Sequence, residues 1–290
     1  MPKLLKLSFF IIFSSFISNQ IYSQTLSERI ESLLSQMTLE EKILQLHAEG
    51  GFNTADNNRL NIPGFIMADG PHGVRDGLAT SFPVGISMSA TFDPDLMERV
   101  GKALGKEFRG KGKHQALGPC LDLTRDPRNG RTPESGGEDP YLIAKINTAL
   151  VQGIQSAGAI ATIKHYNATH KQNGRMTNNY AVGDPMLMTT YGFSFRSAIQ
   201  DGGALSIMSA YNKINDQFAS ENKNLLTTIL RNNWGFPFYV VSDWGAIHNS
   251  ELAIKAGCDV CMGSENYEND LLNLVNSGAV SENIINEAVN

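Results

Sequence analysis

The sequence is short of cysteine, of charge and of any basic excess. Only 3 of its 290 residues are cysteine and 18% are charged, with 24 basic and 29 acidic side chains and a net charge of -5. This balance argues against a phosphate-backbone partner, which needs a basic face, so we expect no nucleic-acid partner. Its hydrophobic content of 41% is sufficient for a packed core and argues against global disorder.

The few cysteines do not form a convincing metal or redox motif. Cys258 and Cys261 have the C-x-x-C spacing of redox and zinc sites. A structural zinc site needs further ligands at suitable spacing, and the sequence has no second pair. Both residues lie in an apolar segment, Ala256–Met262, which we predict to be a buried strand. We therefore expect these cysteines to pack as small core residues.

The only long apolar run lies at the N-terminus. Two lysines precede the run over residues 7–17, and small and polar residues follow it, which is the order of a secretory signal peptide. The run is too short to span a bilayer comfortably as a permanent helix. We predict a signal peptide over residues 1–24, export to the periplasm or the cell exterior, no membrane span after cleavage, and one domain over residues 25–290. The alternative is an ordinary N-terminal helix.

Short apolar runs alternate with helical patterns along the rest of the chain. The predicted strands are Gly64–Ala68, Ala116–Pro119, Ala159–Lys164, Ala204–Ser209, Phe238–Ser242 and Ala256–Met262. The predicted helices are one opened by the capping box of Thr38 and Glu41, one starting at Asp93-Pro94, one over Tyr141–Ile154 and one through Leu225 that stops at Gly235. Strands that alternate with helices predict an α/β fold with a parallel sheet, here a TIM-like (β/α) barrel.

Polar side chains follow several of these predicted strands. They are Asp69, Lys164, His165, Tyr211, Asp243 and Trp244, with Arg131 in a loop over residues 121–140. Taken singly, an Asp before Gly can be a turn residue, and an Arg/Glu cluster can be structural. In a barrel, however, the carboxyl ends of the strands carry the active site. Carboxylates, cations and an aromatic ring on one rim suit a polyhydroxylated ligand. No phosphate-binding loop or metal cluster is visible, so we predict no cofactor and no metal.

Several segments carry a family resemblance. They are ADGPHGVR (68–75), FPVGISMSATFDPDLMERVGKALGKEFRGKG (82–112), RDPRNGRTPESGGEDPYL (125–142), IKHYNATH (163–170), IMSAYNKIN (207–215) and GFPFYVVSDWGA (235–246). Together they resemble the N-terminal barrel of glycoside hydrolase family 3. The resemblance implies exo-acting hydrolysis of terminal β-glycosidic bonds, of the β-glucosidase or β-xylosidase type, on a β-linked oligosaccharide or glycoside.

The resemblance also assigns roles to individual residues. Asp243 matches the family's catalytic nucleophile. The residues that match positions binding or lining the terminal sugar are Asp69, Arg131, Lys164, His165, Met208 and Tyr211, and Trp244 matches an aromatic residue beside the nucleophile. Arg75 also matches a motif position, but we expect it to have a structural role.

A retaining glycosidase needs a second carboxyl group as acid/base. The resemblance implies that this group belongs to a following α/β domain, which packs on the barrel mouth and is missing here. It also implies a barrel that is incomplete at the C-terminus. Glu134 and Glu138 are acid candidates within the chain, but their motif matches a structural loop.

Two other functions remain open. Lys164 could form a Schiff base, as in an aldolase, although the Asp-Trp and arginine motifs would then have no role. The chain could also be a non-catalytic sugar-binding barrel fragment. The sequence context after His165 disfavours an N-acetylhexosaminidase, whereas glucose and xylose are not distinguished.

Overall fold

The computed structural model describes residues 25–49 and 51–290, so the predicted signal peptide over residues 1–24 lies outside the described residues. The helices are α1 (Leu26–Gln36), α2 (Leu39–Gln45), α3 (Gly85–Ser89), α4 (Pro94–Gly110), α5 (Pro140–Ser156), α6 (Asp184–Met186), α7 (Phe193–Gln200), α8 (Ser250–Ala256), α9 (Asn266–Asn276) and α10 (Glu282–Val289). In the described part of the chain, none of them is long and apolar enough to cross a membrane.

The strands are short. They are β1 (Ala48–Glu49), β2 (Asn53–Thr54), β3 (Met67–Asp69), β4 (Gln115–Leu117), β5 (Ile160–Tyr166), β6 (Asn179–Tyr180), β7 (Ser206–Ser209), β8 (Lys213–Ile214), β9 (Gln217–Phe218) and β10 (Tyr239–Val241). Single 3-10 turns lie at Thr132–Glu134 and Ala219–Glu221, and π-helical segments at Leu187–Tyr191 and Asn224–Asn233.

Five parallel strands form the main sheet in the order β10-β7-β5-β4-β3, which confirms the predicted α/β barrel class. Backbone pairing continues past β10, because Val260 bridges that strand and Cys261 bridges the residue before β1. Strand β2 is antiparallel to β1, and the Thr54 N–H donates to the Phe65 carbonyl just before β3. These pairs join the two edges of the main sheet into a ring.

The prediction of a strand over Ala256–Met262 is wrong, because the segment does not form a regular strand. Ala256 ends α8, and Gly257, with φ +93°, terminates the helix in the left-handed region. The Asp259 side chain then accepts from the Val240 N–H at 2.7 Å, which interrupts a regular ladder. The segment pairs with the ring only through isolated bridges. Its cysteines are fully buried, as expected for core residues.

Local sequence signals explain the two long helices on the outside of the barrel. The Asp93 side chain caps α4 by accepting from the Leu96 N–H, and a proline opens the helix, as predicted. α5 covers the predicted Tyr141–Ile154 helix and extends it at both ends. Glycine lets the two helices approach closely, because a Cβ on Gly101 would lie 2.4 Å from the Leu150 carbonyl oxygen.

Two apolar layers fix the strands. The larger cluster packs the helices against the outside of the sheet. The smaller cluster consists of side chains from the ring segments: Met67, Leu117, Met208, Val241, Val260 and Met262. Because packed side chains fill the inside of such a barrel, polar groups that follow the strands gather at its carboxyl-end rim.

Candidate active site

A cavity of about 640 Å³ lies at the carboxyl ends of the strands. All of the predicted site residues line this one cavity: Asp69, Arg131, Lys164, His165, Met208, Tyr211, Asp243 and Trp244. Chain segments from five parts of the sequence thus deliver their side chains to one place, as expected for the carboxyl ends of parallel strands.

Asp69, at the end of β3, forms ion pairs with two cationic side chains. Its Oδ1 lies 2.6 Å from Lys164 Nζ and its Oδ2 lies 2.8 Å from Arg75 Nη1. Burial acts to raise the pKa of Asp69, but the two cations outweigh it and lower the pKa to about 2. The carboxylate is therefore ionised at neutral pH. Arg75, for which we expected a structural role, orients Asp69 and also lines the cavity.

Asp243 follows β10 and is buried beside the cavity. Its Oδ1 accepts from the Trp244 backbone N–H at 2.7 Å. Its Oδ2 has no hydrogen-bond partner among the residues that the structure describes, and it lies 3.7 Å from His165 Nε2. One oxygen is thus fixed in place, while the other remains available for a ligand.

Tyr211, after β7, carries a hydroxyl that stays protonated. Burial, reinforced by the nearby Asp243 carboxylate, raises the pKa of this hydroxyl. The guanidinium of Arg175 lies 4.4 Å from the centroid of the Tyr211 ring, a cation–π contact. Arg175 lines the cavity but was missed by the sequence analysis, because it lies in an irregular loop without periodic signal.

The loop after β4 contributes an ion pair. Arg131 Nη2 lies 2.8 Å from Glu134 Oε2, and both residues line the cavity. Burial acts to raise the pKa of Glu134, but Arg131 outweighs it and the pKa is lowered. Glu134 is therefore a poor proton donor at neutral pH. Glu138 is exposed and does not line this cavity.

Trp244 forms an aromatic edge of the cavity. Its side chain is 40% exposed, so it is not the core residue that a tryptophan usually is. Its ring packs against Phe52, with 4.7 Å between the ring centroids. An exposed aromatic surface beside polar groups suits stacking on the apolar face of a sugar.

A buried cluster behind the cavity has the composition of a metal site. The ligand-type atoms of Cys120, Asp122 and His165 lie within 4.8 Å of one another. Hydrogen bonds already join them, because Asp122 Oδ2 contacts His165 Nδ1 at 2.7 Å and Cys120 Sγ at 3.1 Å. Burial also raises the pKa of the Cys120 thiol, which disfavours the thiolate that a metal binds. Hydrogen bonding accounts for this cluster.

These features define an α/β barrel with a charged, polar cavity at the carboxyl ends of its strands. Residues 30–290 match the family described as Glycosyl hydrolase family 3 N terminal domain. The chain belongs to this family, as the sequence motifs predicted.

Curated relatives carry β-glucosidase names. The chain is 37% identical to thermostable beta-glucosidase B of Acetivibrio thermocellus over 90% of its own length and 36% of that protein's length. It is 39% identical to a beta-glucosidase of Rhizobium radiobacter over 80% of its own length and 29% of that protein's length. The chain thus spans about a third of the length of the curated relatives it matches.

Solved structures show the same fold. Beta-glucosidase 3B of Thermotoga neapolitana, in complex with alpha-D-glucose, has 32% identity and a TM-score of 0.86, over 90% of this chain and 41% of that chain. Beta-glucosidase of Kluyveromyces marxianus, in complex with glucose, has 33% identity and a TM-score of 0.87, over 90% of this chain and 32% of that chain.

Proposed function

We propose that this chain forms the nucleophile-bearing, sugar-binding part of a retaining β-glycosidase that acts on terminal β-glucosides. The observation that carries the proposal is the Asp243 carboxylate, which has one oxygen held by Trp244 and the other unpartnered within the described residues, beside a cavity of polar side chains. The β-glucosidase names of the relatives, and the glucose in two similar structures, support glucose over xylose.

The cavity residues contact the terminal sugar in different ways. The side chains of Lys164 and Arg131 offer hydrogen bonds to its hydroxyl groups, the ionised Asp69 accepts from them, and His165 presents its ring nitrogen Nε2 to them. Tyr211, Met208, Trp244 and Arg175 line the remaining walls. Charged donors and acceptors bind hydroxyls more strongly than neutral ones and fix the orientation of the ring.

Asp243 Oδ2 then attacks the anomeric carbon. A carbon–oxygen bond forms to the carboxylate while the bond to the leaving oxygen breaks, and the leaving oxygen takes a proton from the general acid. Water, deprotonated by the same group, attacks the covalent intermediate and releases the sugar and the carboxylate. The two displacements together retain the β configuration.

The general acid must be a carboxylic acid that is protonated at working pH, so its pKa has to be raised. The other carboxyl groups that line the cavity, Asp69 and Glu134, are paired with cations, and their pKa values are lowered. Neither suits the role. We therefore propose that the acid/base comes from a segment outside residues 25–290 that packs on the barrel mouth.

The ion pair between Lys164 and Asp69 argues against an aldolase. A Schiff-base lysine must lose its proton to attack a carbonyl. In this structure Lys164 Nζ instead lies 2.6 Å from the Asp69 carboxylate, in an ion pair that a Schiff-base lysine would have to give up. A non-catalytic sugar-binding module could use the same contacts with the sugar. The following experiment distinguishes such a module from a glycosidase.

A glucoside with a dinitrophenolate leaving group tests the proposal on this chain, because that group departs without a proton. Azide attacks the intermediate without a general base, so the chain should release dinitrophenolate and form β-glucosyl azide. Asp243→Asn should abolish both products, whereas Asp126→Asn, on the rim loop but facing Arg128 and Lys171, should retain them. An α-azide product from the unsubstituted chain, or release by Asp243→Asn in the absence of azide, contradicts the nucleophile assignment. Glucose binding without any release would favour the non-catalytic module.

A further inference from the structure

Asp122 lies behind the candidate active site and does not line its cavity. It follows β4 in the chain and is buried, as is His165 on the neighbouring strand β5. Both of its carboxylate oxygens contact that one histidine. Oδ1 accepts from the His165 backbone N–H at 3.1 Å, and Oδ2 lies 2.7 Å from the ring atom Nδ1. Two contacts from one carboxylate fix both the backbone and the ring of His165.

The opposite edge of the His165 ring faces the cavity. Its Nε2 lies 3.7 Å from Asp243 Oδ2, the oxygen that has no partner in the described part of the chain. The ring therefore spans the distance between a buried carboxylate and the candidate nucleophile. Arg131 also acts electrostatically on Asp122. Glu134 interacts electrostatically with His165, whose neighbour in β5 is Lys164.

We propose that Asp122 is a positioning residue, whose carboxylate keeps a proton on Nδ1 of the His165 ring and so orients Nε2 towards the sugar. The part of this proposal that concerns the sugar rests on the proposed function. A buried partner on the far nitrogen sets which ring nitrogen carries the proton, as in other sites where histidine contacts a ligand.

The geometry requires a carboxylate rather than an amide. The His165 backbone N–H is always a donor, so an asparagine at position 122 would turn its only oxygen towards it. The asparagine NH₂ would then face Nδ1 and donate to it. The neutral ring would have to carry its proton on Nε2 instead. Asp122→Asn should therefore reverse the tautomer without changing the shape of the side chain.

Nitrogen NMR of the ¹⁵N-histidine-labelled chain at alkaline pH tests the tautomer directly. We expect wild-type His165 to have a protonated Nδ1 and a bare Nε2, and the Asp122→Asn variant to have the reverse. The control is Asp126→Asn, the same chemical change on the same loop, which should leave the wild-type signals. A bare Nδ1 in the wild-type protein overturns the proposal, and this measurement does not require that any variant folds.

Binding and labelling give the functional readout. With the dinitrophenyl glucoside, Asp122→Asn should raise the half-saturating concentration about tenfold, since one oriented hydrogen bond is lost, and should change the limiting rate of release less. An unchanged half-saturating concentration together with an unchanged tautomer overturns the positioning role. A wild-type protein that releases no dinitrophenolate instead defeats the proposed function, while the NMR result still decides which nitrogen Asp122 holds.

Discussion

The two ends of the barrel differ in whether the hydrogen bonds of their buried polar groups are satisfied. At the amino-end floor, Gln115 Nε2 donates to the hydroxyls of Thr162 and Ser206, and the Tyr239 hydroxyl donates to Gln115 Oε1 at 2.6 Å. At the carboxyl-end mouth, the Asp243 carboxylate keeps an oxygen that has no partner among the described residues. The floor closes its hydrogen bonds internally, whereas the mouth, where Asp69 and Glu134 are paired with cations, leaves one oxygen of Asp243 open.

This difference indicates where stability and function reside. Buried polar groups are normally hydrogen-bonded, and an exception that lines a cleft is a candidate for a functional site. Substitutions at the floor should therefore reduce the free energy of unfolding, and substitutions at the mouth should reduce sugar binding or chemistry.

The largest contrast should come from one chemical change made at both ends. At the mouth, Asp243→Asn should lower dinitrophenolate release by about 10⁴-fold or more, as loss of a catalytic group does, without decreasing the free energy of unfolding. At the floor, beside the start of β10, Asp259→Asn should do the opposite, because the Asp259 carboxylate accepts from Arg231 Nη2 at 2.5 Å and from the Val240 N–H at 2.7 Å. Losing the charge-assisted contacts of this partly buried pair should cost about 1–3 kcal/mol of stability.

Urea unfolding and release assays on both variants check the contrast. Equal destabilisation of the two proteins would remove the distinction between mouth and floor.

A smaller effect should follow from Tyr239→Phe at the floor. Removing the hydroxyl leaves the buried Gln115 Oε1 without its donor, which should cost about 1–3 kcal/mol, with glucose affinity unchanged. Tyr141→Phe, at a tyrosine that is 60% exposed, is the control and should leave stability unchanged. Denaturant midpoints and calorimetric glucose titrations measure both quantities. A loss of glucose affinity in Tyr239→Phe would show that the ends are coupled.

The smallest effect concerns pH and His170, in the loop after β5. Burial, with Arg125 nearby, lowers the pKa of His170 from 6.5 to about 4. The unfolded chain therefore takes up a proton at a pH where the folded chain does not. The contribution of His170 to the free energy of unfolding should be constant above pH 6.5. It should fall as the pH decreases from about 6.5 to about 4.

His170→Gln should weaken that slope, while His248→Gln, at an exposed histidine, should leave it intact. Unfolding curves across this pH window supply the test. An identical slope in His170→Gln and the wild-type protein would exclude His170 as its source.

Much of the barrel was predictable because the buried strands β5 and β7 are short apolar runs and the helix starts carry caps. The two-residue strands β1 and β2 were not, since two residues provide no periodicity. The segment over Ala256–Met262 misled the prediction because it is as apolar as a strand. Its pairing, however, is interrupted by the side chain of Asp259.

The grouping of the candidate site residues in one cavity was predictable where a residue belongs to a motif at a strand end, as for Asp69, Lys164 and Asp243. Arg175 was missed because its position over the Tyr211 ring depends on the path of an irregular loop. Asp122 was missed because its contact with His165 joins neighbouring strands from distant parts of the sequence. Such lateral contacts follow from the folded sheet and have no local signal.

The most direct test of the central claim is to trap the covalent intermediate. A 2-deoxy-2-fluoro-β-glucoside with a dinitrophenolate leaving group should slow the second displacement and leave the sugar on the protein. Mass spectrometry of the digested chain should find one sugar per molecule, on Asp243, and none in Asp243→Asn. A sugar attached to Asp69, Glu134 or any other residue would contradict the assignment of Asp243 as the nucleophile.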